Sequence, residues 1–318
     1  MLLPFFWMLA TSLKEPGEVF TISDNFLAQL IPSPIVWSNY PKAWTAVPFP
    51  RFYFNTILVT AFITLGQVFT SSLAAYAFAR LNFPFRDKLF FGYLATMMVP
   101  GVVTMIPVFI LLRTFGDIWN TDLYFFGSFF GKPIGIDSYF ALIVPGMFSA
   151  YGTFMLRQFF MSLPVELEEA AKIDGSSLFG IYRRITLPLS KPALATLTTF
   201  VFMGSWKEFM WPLIVTNSME MKTLSVGLQS FQGLYTTEWT LLMAGSIIML
   251  APIIIVFIFN PRLINLEFHS LDGGTESCGG ERSFLKGCGG SSVAHVGSHG
   301  VEYGDHRSEP GLREPVPI

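Results

Sequence analysis

Phe54-Asn55-Thr56-Ile57-Leu58-Val59-Thr60-Ala61-Phe62-Ile63-Thr64-Leu65-Gly66-Gln67-Val68-Phe69-Thr70-Ser71-Ser72-Leu73-Ala74-Ala75-Tyr76-Ala77-Phe78-Ala79 carries no Asp, Glu, Lys or Arg. About 20 such residues take a helix across the roughly 30 Å hydrocarbon layer of a membrane, and a helix satisfies its own backbone groups there. The stretch therefore reads as a membrane span. Residues 89–112 and 240–259 have the same character, and 139–158 and 193–215 share it apart from Arg157 in the first and Lys207 and Glu208 in the second. The fold expected is all-α, a polytopic membrane helical bundle. Residues 1–13 are too short to cross; they read as a truncated first helix, making six in all, or as a short interfacial anchor.

Composition agrees with this reading. The 318 residues are 52% hydrophobic and 13% charged, with a mean hydropathy of +0.51, whereas a soluble domain keeps about a quarter of its residues charged. A formal net charge of −2 gives no footprint for nucleic acid. Cytoplasmic loops collect Lys and Arg. Arg80, Arg86 and Lys88 cluster in one loop, and Lys172, Arg183, Arg184 and Lys191 in another, so both are expected on the cytoplasmic side. Beyond Pro261 the apolar runs give way to Gly-Gly pairs among Ser, Glu and His. Such a segment buries too little apolar surface to offset its ordering entropy and is expected to be disordered.

The second basic loop has internal grammar. It reads Met161-Ser162-Leu163-Pro164-Val165-Glu166-Leu167-Glu168-Glu169-Ala170-Ala171-Lys172-Ile173-Asp174-Gly175-Ser176-Ser177. Pro164 at a first turn, acids near the start and Gly175 as a left-handed stop spell a short helix. Glu168 and Lys172 stand four apart, in the favourable order. Ala170 and Ala171 leave low relief for another protein to approach. Ser176 is placed to cap a second helix that ends before Pro188.

Glu169-Ala170-Ala171, Gly175 after three residues, and Ile185-Thr186-Leu187-Pro188 after nine more match the signature loop of ABC importer permeases. Residues of about 5–262 further resemble the carbohydrate-uptake branch, of the maltose-permease second-subunit type. The resemblance rests on Trp7 to Lys14, Asn55-Thr56, Ala74 to Arg80, Phe154 to Phe160 and Trp211-Pro212-Leu213. It implies a cell-membrane (inner-membrane) subunit that pairs with a second, homologous permease, two cytoplasmic ATPases and an extracytoplasmic solute-binding protein. The signature loop would be the coupling helix seated in the ATPase, carried by Glu168, Glu169, Ala170, Ala171, Asp174, Gly175, Ile185, Leu187 and Pro188. Transport would proceed by alternating access, with a carbohydrate or sugar-like solute as cargo. The family's first helix normally begins before the position of Met1. Residues 266–318 align with nothing in the family, so the domains expected are a permease domain at 1–265 and an unrelated tail, from a frame change or an addition.

Tyr76, Tyr151, Trp206, Lys207, Glu208 and Trp211 are candidates for the translocation path. A structural role stands beside each: interfacial packing for the aromatics, snorkelling for Lys207, and contact with a neighbouring helix for Glu208. Segment 216–239 joins the last two helices on the outer side. There Gln229, Phe231, Gln232 and Tyr235 are candidates for contact with the binding protein, with Gly227 and Gly233 as bends; a covering interfacial helix is the alternative.

All four His and both Cys lie in the tail, which leaves the membrane part without a His or Cys for catalysis. Cys278, Cys288, His295 and His299 have the wrong Cys separation for a zinc site, and no metal or cofactor is expected. No Gly-rich phosphate loop appears, so ATP must be hydrolysed by another chain and this one is not an enzyme. An ion- or proton-coupled secondary transporter is the alternative function.

Overall fold

The computed structural model describes residues 3–20, 32–119, 135–233 and 237–259. Among them every regular element is helical. Helix α1 (Leu3–Ser12) is followed by α2 (Asn39–Ala46), and both pack on the last helix. Helix α3 (Phe49–Arg80) runs 32 residues, about 48 Å at 1.5 Å per residue, and so outreaches the hydrocarbon layer. Then come α4 (Arg86–Ala95), α5 (Gly101–Trp119), α6 (Tyr139–Ile143) and α7 (Ala150–Ser162). The chain continues with α8 (Glu166–Ile173), α9 (Leu178–Ile181), α10 (Lys191–Lys207), α11 (Met210–Val215), α12 (Leu224–Leu228) and α13 (Trp239–Phe259).

Helix α3 is the axis of the bundle. Toward its C-terminus Ala75 and Tyr76 bury against Leu156 and Phe160 of α7 and against Ala193, Leu197 and Val201 of α10. At its N-terminus Phe49 and Phe52, both fully buried, join Ala43, Trp206, Leu224, Leu228, Phe231 and Ala244. Small residues permit the closest crossings. A Cβ on Gly152 of α7 would lie 2.7 Å from Ser71 Oγ of α3.

Three expected spans are not single straight helices. Residues 89–112 break at Val99-Pro100, and the two halves meet at 100°. Val99 takes an extended conformation, as a residue before proline prefers. Residues 139–158 are divided by a turn at Pro145–Met147. The expected helix over 193–215 stops at Lys207, Glu208 adopts ψ 124°, and α11 restarts at Met210. Among the described residues three helices qualify as spans, Phe49–Arg80, Tyr139–Ser162 and Trp239–Val256, and up to five if each bent pair counts as one. Helix α1, with ten residues, remains short of a span. The tail at 266–318 lies outside the described residues.

Gly227, expected as a bend, sits inside α12 and packs against Phe52: an added Cβ would overlap the Cδ2 and Cε2 carbons of its ring. Gly→Ala in an unstrained helix is stabilising by up to about 1 kcal/mol. Gly227→Ala is instead expected to cost about 1–3 kcal/mol, because the fully buried Phe52 ring must shift to make room. Thermal unfolding in detergent checks this, and a melting temperature at or above the wild type would contradict the packing.

Candidate functional site

Two features carry chemistry beyond packing, an elbow at one end of the bundle and a cavity within it. The elbow is built from α8 and α9. Helix α7 ends at Ser162, Leu163 turns extended, and α8 begins at Glu166 with three acids in its first turn, where the helix dipole favours them. Gly175 closes it at φ +76°, the left-handed stop that its sequence position suggests. Ser177 rather than Ser176 caps α9, its Oγ accepting from the Gly180 N–H at 3.1 Å. A π-helical turn at Tyr182–Thr186 and a short turn at Leu187–Leu189 lead into α10, bent by 78°.

Glu168 does not pair with Lys172. It turns inward, 5% exposed, and its Oε1 lies 3.1 Å from Arg80 Nε. Arg80 ends α3 and is itself buried rather than a solvated loop charge; its Nη2 donates to Phe160 O and Leu163 O, both at 2.6 Å. One guanidinium thus ties α3, the end of α7 and the start of the elbow. The Tyr182 hydroxyl adds a bond to Ser72 Oγ at 2.7 Å. Tyr76 donates to Leu178 O at 3.4 Å; this candidate for the path stands at the base of the elbow and does not line the cavity.

With Glu168 turned in, Glu169, Ala170 and Asp174 are exposed while Ala171 is buried. Ile185 and Leu187 are half-buried and Pro188 is exposed. Exposed Val165, Leu167, Leu178 and Phe179 surround them, and Ile173 is 87% exposed.

The cavity, about 710 Å³, lies among α3, α5, α6, α7, α10 and α11. Tyr151, Trp206, Glu208 and Trp211 line it; Lys207 is exposed and does not. Both indoles are fixed, Trp206 Nε1 donating to Met249 O and Trp211 Nε1 to Ala141 O, each at 2.9 Å. Trp206 also stacks on Phe202, with ring centroids 5.6 Å apart. Glu208 Oε1 accepts from the N–H groups of Met210 and Trp211 at 3.1 and 3.2 Å. Glu208 therefore closes the break between α10 and α11 as well as facing the cavity.

At the far end Gln229 and Gln232 are exposed, whereas Phe231 is 5% exposed within the core and so offers no surface to a partner. Tyr235 lies outside the described residues, as do Cys278, Cys288, His295 and His299. Arg80 is the functional candidate that local patterns did not supply. An unmatched Arg closing an apolar run was the available signal.

Residues 67–265 match the family described as "Binding-protein-dependent transport system inner membrane component". The "Arabinooligosaccharides transport system permease protein AraQ" of Bacillus subtilis (strain 168) is 34% identical over 259 residues, covering 81% of this chain and 85% of that protein. The "sn-glycerol-3-phosphate transport system permease protein UgpE" of Yersinia enterocolitica is 33% identical over 270 residues, 82% and 88% of the two chains. Among solved structures, a bacterial ABC transporter involved in import of the acidic polysaccharide alginate superimposes with a TM-score of 0.69 at 23% identity, covering 82% and 90%, a likeness of fold.

Removing one member of a buried ion pair costs about 3–5 kcal/mol, whereas replacing both by apolar groups is far milder. Arg80→Met, which strands a carboxylate and two carbonyls, is expected to fall in that range and to open the elbow to limited proteolysis. The double variant Arg80→Met/Glu168→Met should recover part of the loss. Wild-type melting of Arg80→Met, or a double variant no better than the single, would show that the junction is held by other contacts.

Proposed function

Because this chain belongs to the family of binding-protein-dependent transport system inner membrane components, we propose that it is the membrane-spanning permease of an ATP-binding-cassette importer, taking a carbohydrate or sugar-like solute across the inner (cytoplasmic) membrane. It is a transport subunit, not an enzyme. ATP is hydrolysed on separate subunits, and a second homologous permease and an extracytoplasmic binding protein complete the assembly. Family membership sets aside the ion-coupled alternative.

The observation that carries the mechanism is the division of labour on α3. Its C-terminal Arg80 holds the elbow, and Thr56, Val59, Thr60, Ile63 and Gln67, farther up the same helix, line the cavity. A push on the elbow therefore reaches the cavity wall through one continuous helix. In this reading the outer face of the elbow, with Glu169 and Ala170 at its centre and Ile173 and Phe179 at its margins, seats in the ATPase on the cytoplasmic side. Gln229 and Gln232 at the opposite end face the binding protein. Closure of the ATPases drives the elbows together and turns the cavity from one side to the other.

Ala170 is exposed, so a larger side chain there leaves the fold intact but removes the low relief a partner needs. Ala170→Phe is expected to melt like the wild type, to lose ATPase on co-purification, and to abolish ATP-driven oligosaccharide uptake in reconstituted vesicles. Undiminished co-purification and uptake would exclude this face as the docking site.

Residues 266–318 are proposed as a separate segment outside the permease domain, since the family match stops at 265. Truncation after Leu266 should leave uptake unchanged. Loss of uptake with normal membrane insertion would assign the tail a role in transport.

A further inference from the structure

The relatives show that this architecture serves both charge types. One is named for neutral arabinooligosaccharides, another for a phosphate ester, and a third is described as importing an acidic polysaccharide. Family membership leaves the charge of the cargo undecided, and the cavity speaks to it. Among the described residues that line it, Glu208 is the one charged side chain; no Lys, Arg or His joins them. An anion entering the cavity meets a carboxylate and no counter-charge on this wall, and Coulomb repulsion acts against it.

The remaining polar groups suit a solute that both donates and accepts. Gln67, Tyr151 and Ser205 line the cavity with side chains that are half-buried or exposed and that can donate or accept. Thr56, by contrast, is already spent: it donates to Phe52 O and accepts from the Leu224 N–H, both at 2.8 Å. Glu208 is held by Oε1, which leaves Oε2 to accept from a solute hydroxyl. The Trp211 ring, pinned through Nε1, offers a fixed apolar face beside these groups.

We propose that the cavity selects an uncharged, polyhydroxylated solute against anionic ones, with Glu208 as the specificity-determining residue. This rests on the reading of the cavity as the transport path.

The test places a single thiol in the cavity. Ser205→Cys, with Cys278 and Cys288 replaced by Ser, is assembled with its partners in vesicles. Reaction rates are measured with cationic trimethylammonium-ethyl, anionic sulfonatoethyl and neutral methyl methanethiosulfonates. The cationic reagent should outpace the anionic one by roughly fivefold or more relative to their rates on a free thiol, the scale of one nearby unit charge even under water-like screening. Glu208→Gln keeps an oxygen to cap α11 and removes the charge, so it should bring that ratio close to one.

An anionic reagent reacting at least as fast as the cationic one overturns the proposal, as does a ratio that Glu208→Gln leaves unchanged. Arabinooligosaccharides should protect the thiol from the neutral reagent better than glycerol 3-phosphate or an alginate oligosaccharide; better protection by either anion also overturns it. If no sugar protects, the rate ratio decides. A thiol that reacts with no reagent, or whose labelling leaves uptake intact, removes the transport-path reading itself and the charge assignment with it.

Discussion

A guanidinium buried where three helices meet is the constraint on which the rest of this molecule depends. Arg80 cannot leave its charge uncompensated at 8% side-chain exposure, and every oxygen it meets belongs to the elbow or to the chain entering it. The position of the elbow is thus fixed by the electrostatics of the end of α3, and the rotation of α3 by its close crossing with α7 at Gly152 and Ser71. Buried ion pairs are weak sources of stability but strong penalties against misplacement. That asymmetry suits the proposed role of a joint that transmits force in one geometry.

The broken helices have a related logic. Within a membrane, irregular backbone is tolerated where it is buried in protein or lines a water-filled cavity. The breaks at Val99-Pro100, Pro145–Met147 and Glu208-Phe209 all adjoin the cavity wall, which includes Gly101, Pro145, Gly146 and Glu208. Glu208 satisfies two N–H groups exposed by one break. One side chain therefore repairs the backbone and sets the charge of the chamber.

Much of this was legible in the sequence because it follows from local rules. The apolar run through 54–79 located α3, Gly175 marked the turn it makes at φ +76°, and the acids before Ala170 announced α8. Three kinds of information were not local. Glu168 faces Lys172 by helical spacing, yet a buried guanidinium contributed from α3 competes for it and wins. Phe231 and Tyr76 looked like aromatic surface, and their burial depends on what the bundle brings beside them. Gly227 read as flexibility because its composition says so, whereas its lack of a side chain serves the Phe52 ring. Length and hydropathy also failed to separate a straight span from a bent one; the prolines at 100 and 145 carried that signal.

Two of the groups that Arg80 grips, the carbonyls of Phe160 and Leu163, belong to the main chain. An anchor that reads backbone is blind to side-chain identity at those positions, and only the Glu168 contact asks for a particular residue. The joint is therefore separable from the face it presents: Arg80 sets where the elbow sits without contacting the exposed residues Glu169 and Ala170 on its outer side. On the proposed reading of elbow and cavity, exchanging a whole elbow becomes a matter of preserving one carboxylate and the path of the chain, with the cavity wall left as it is.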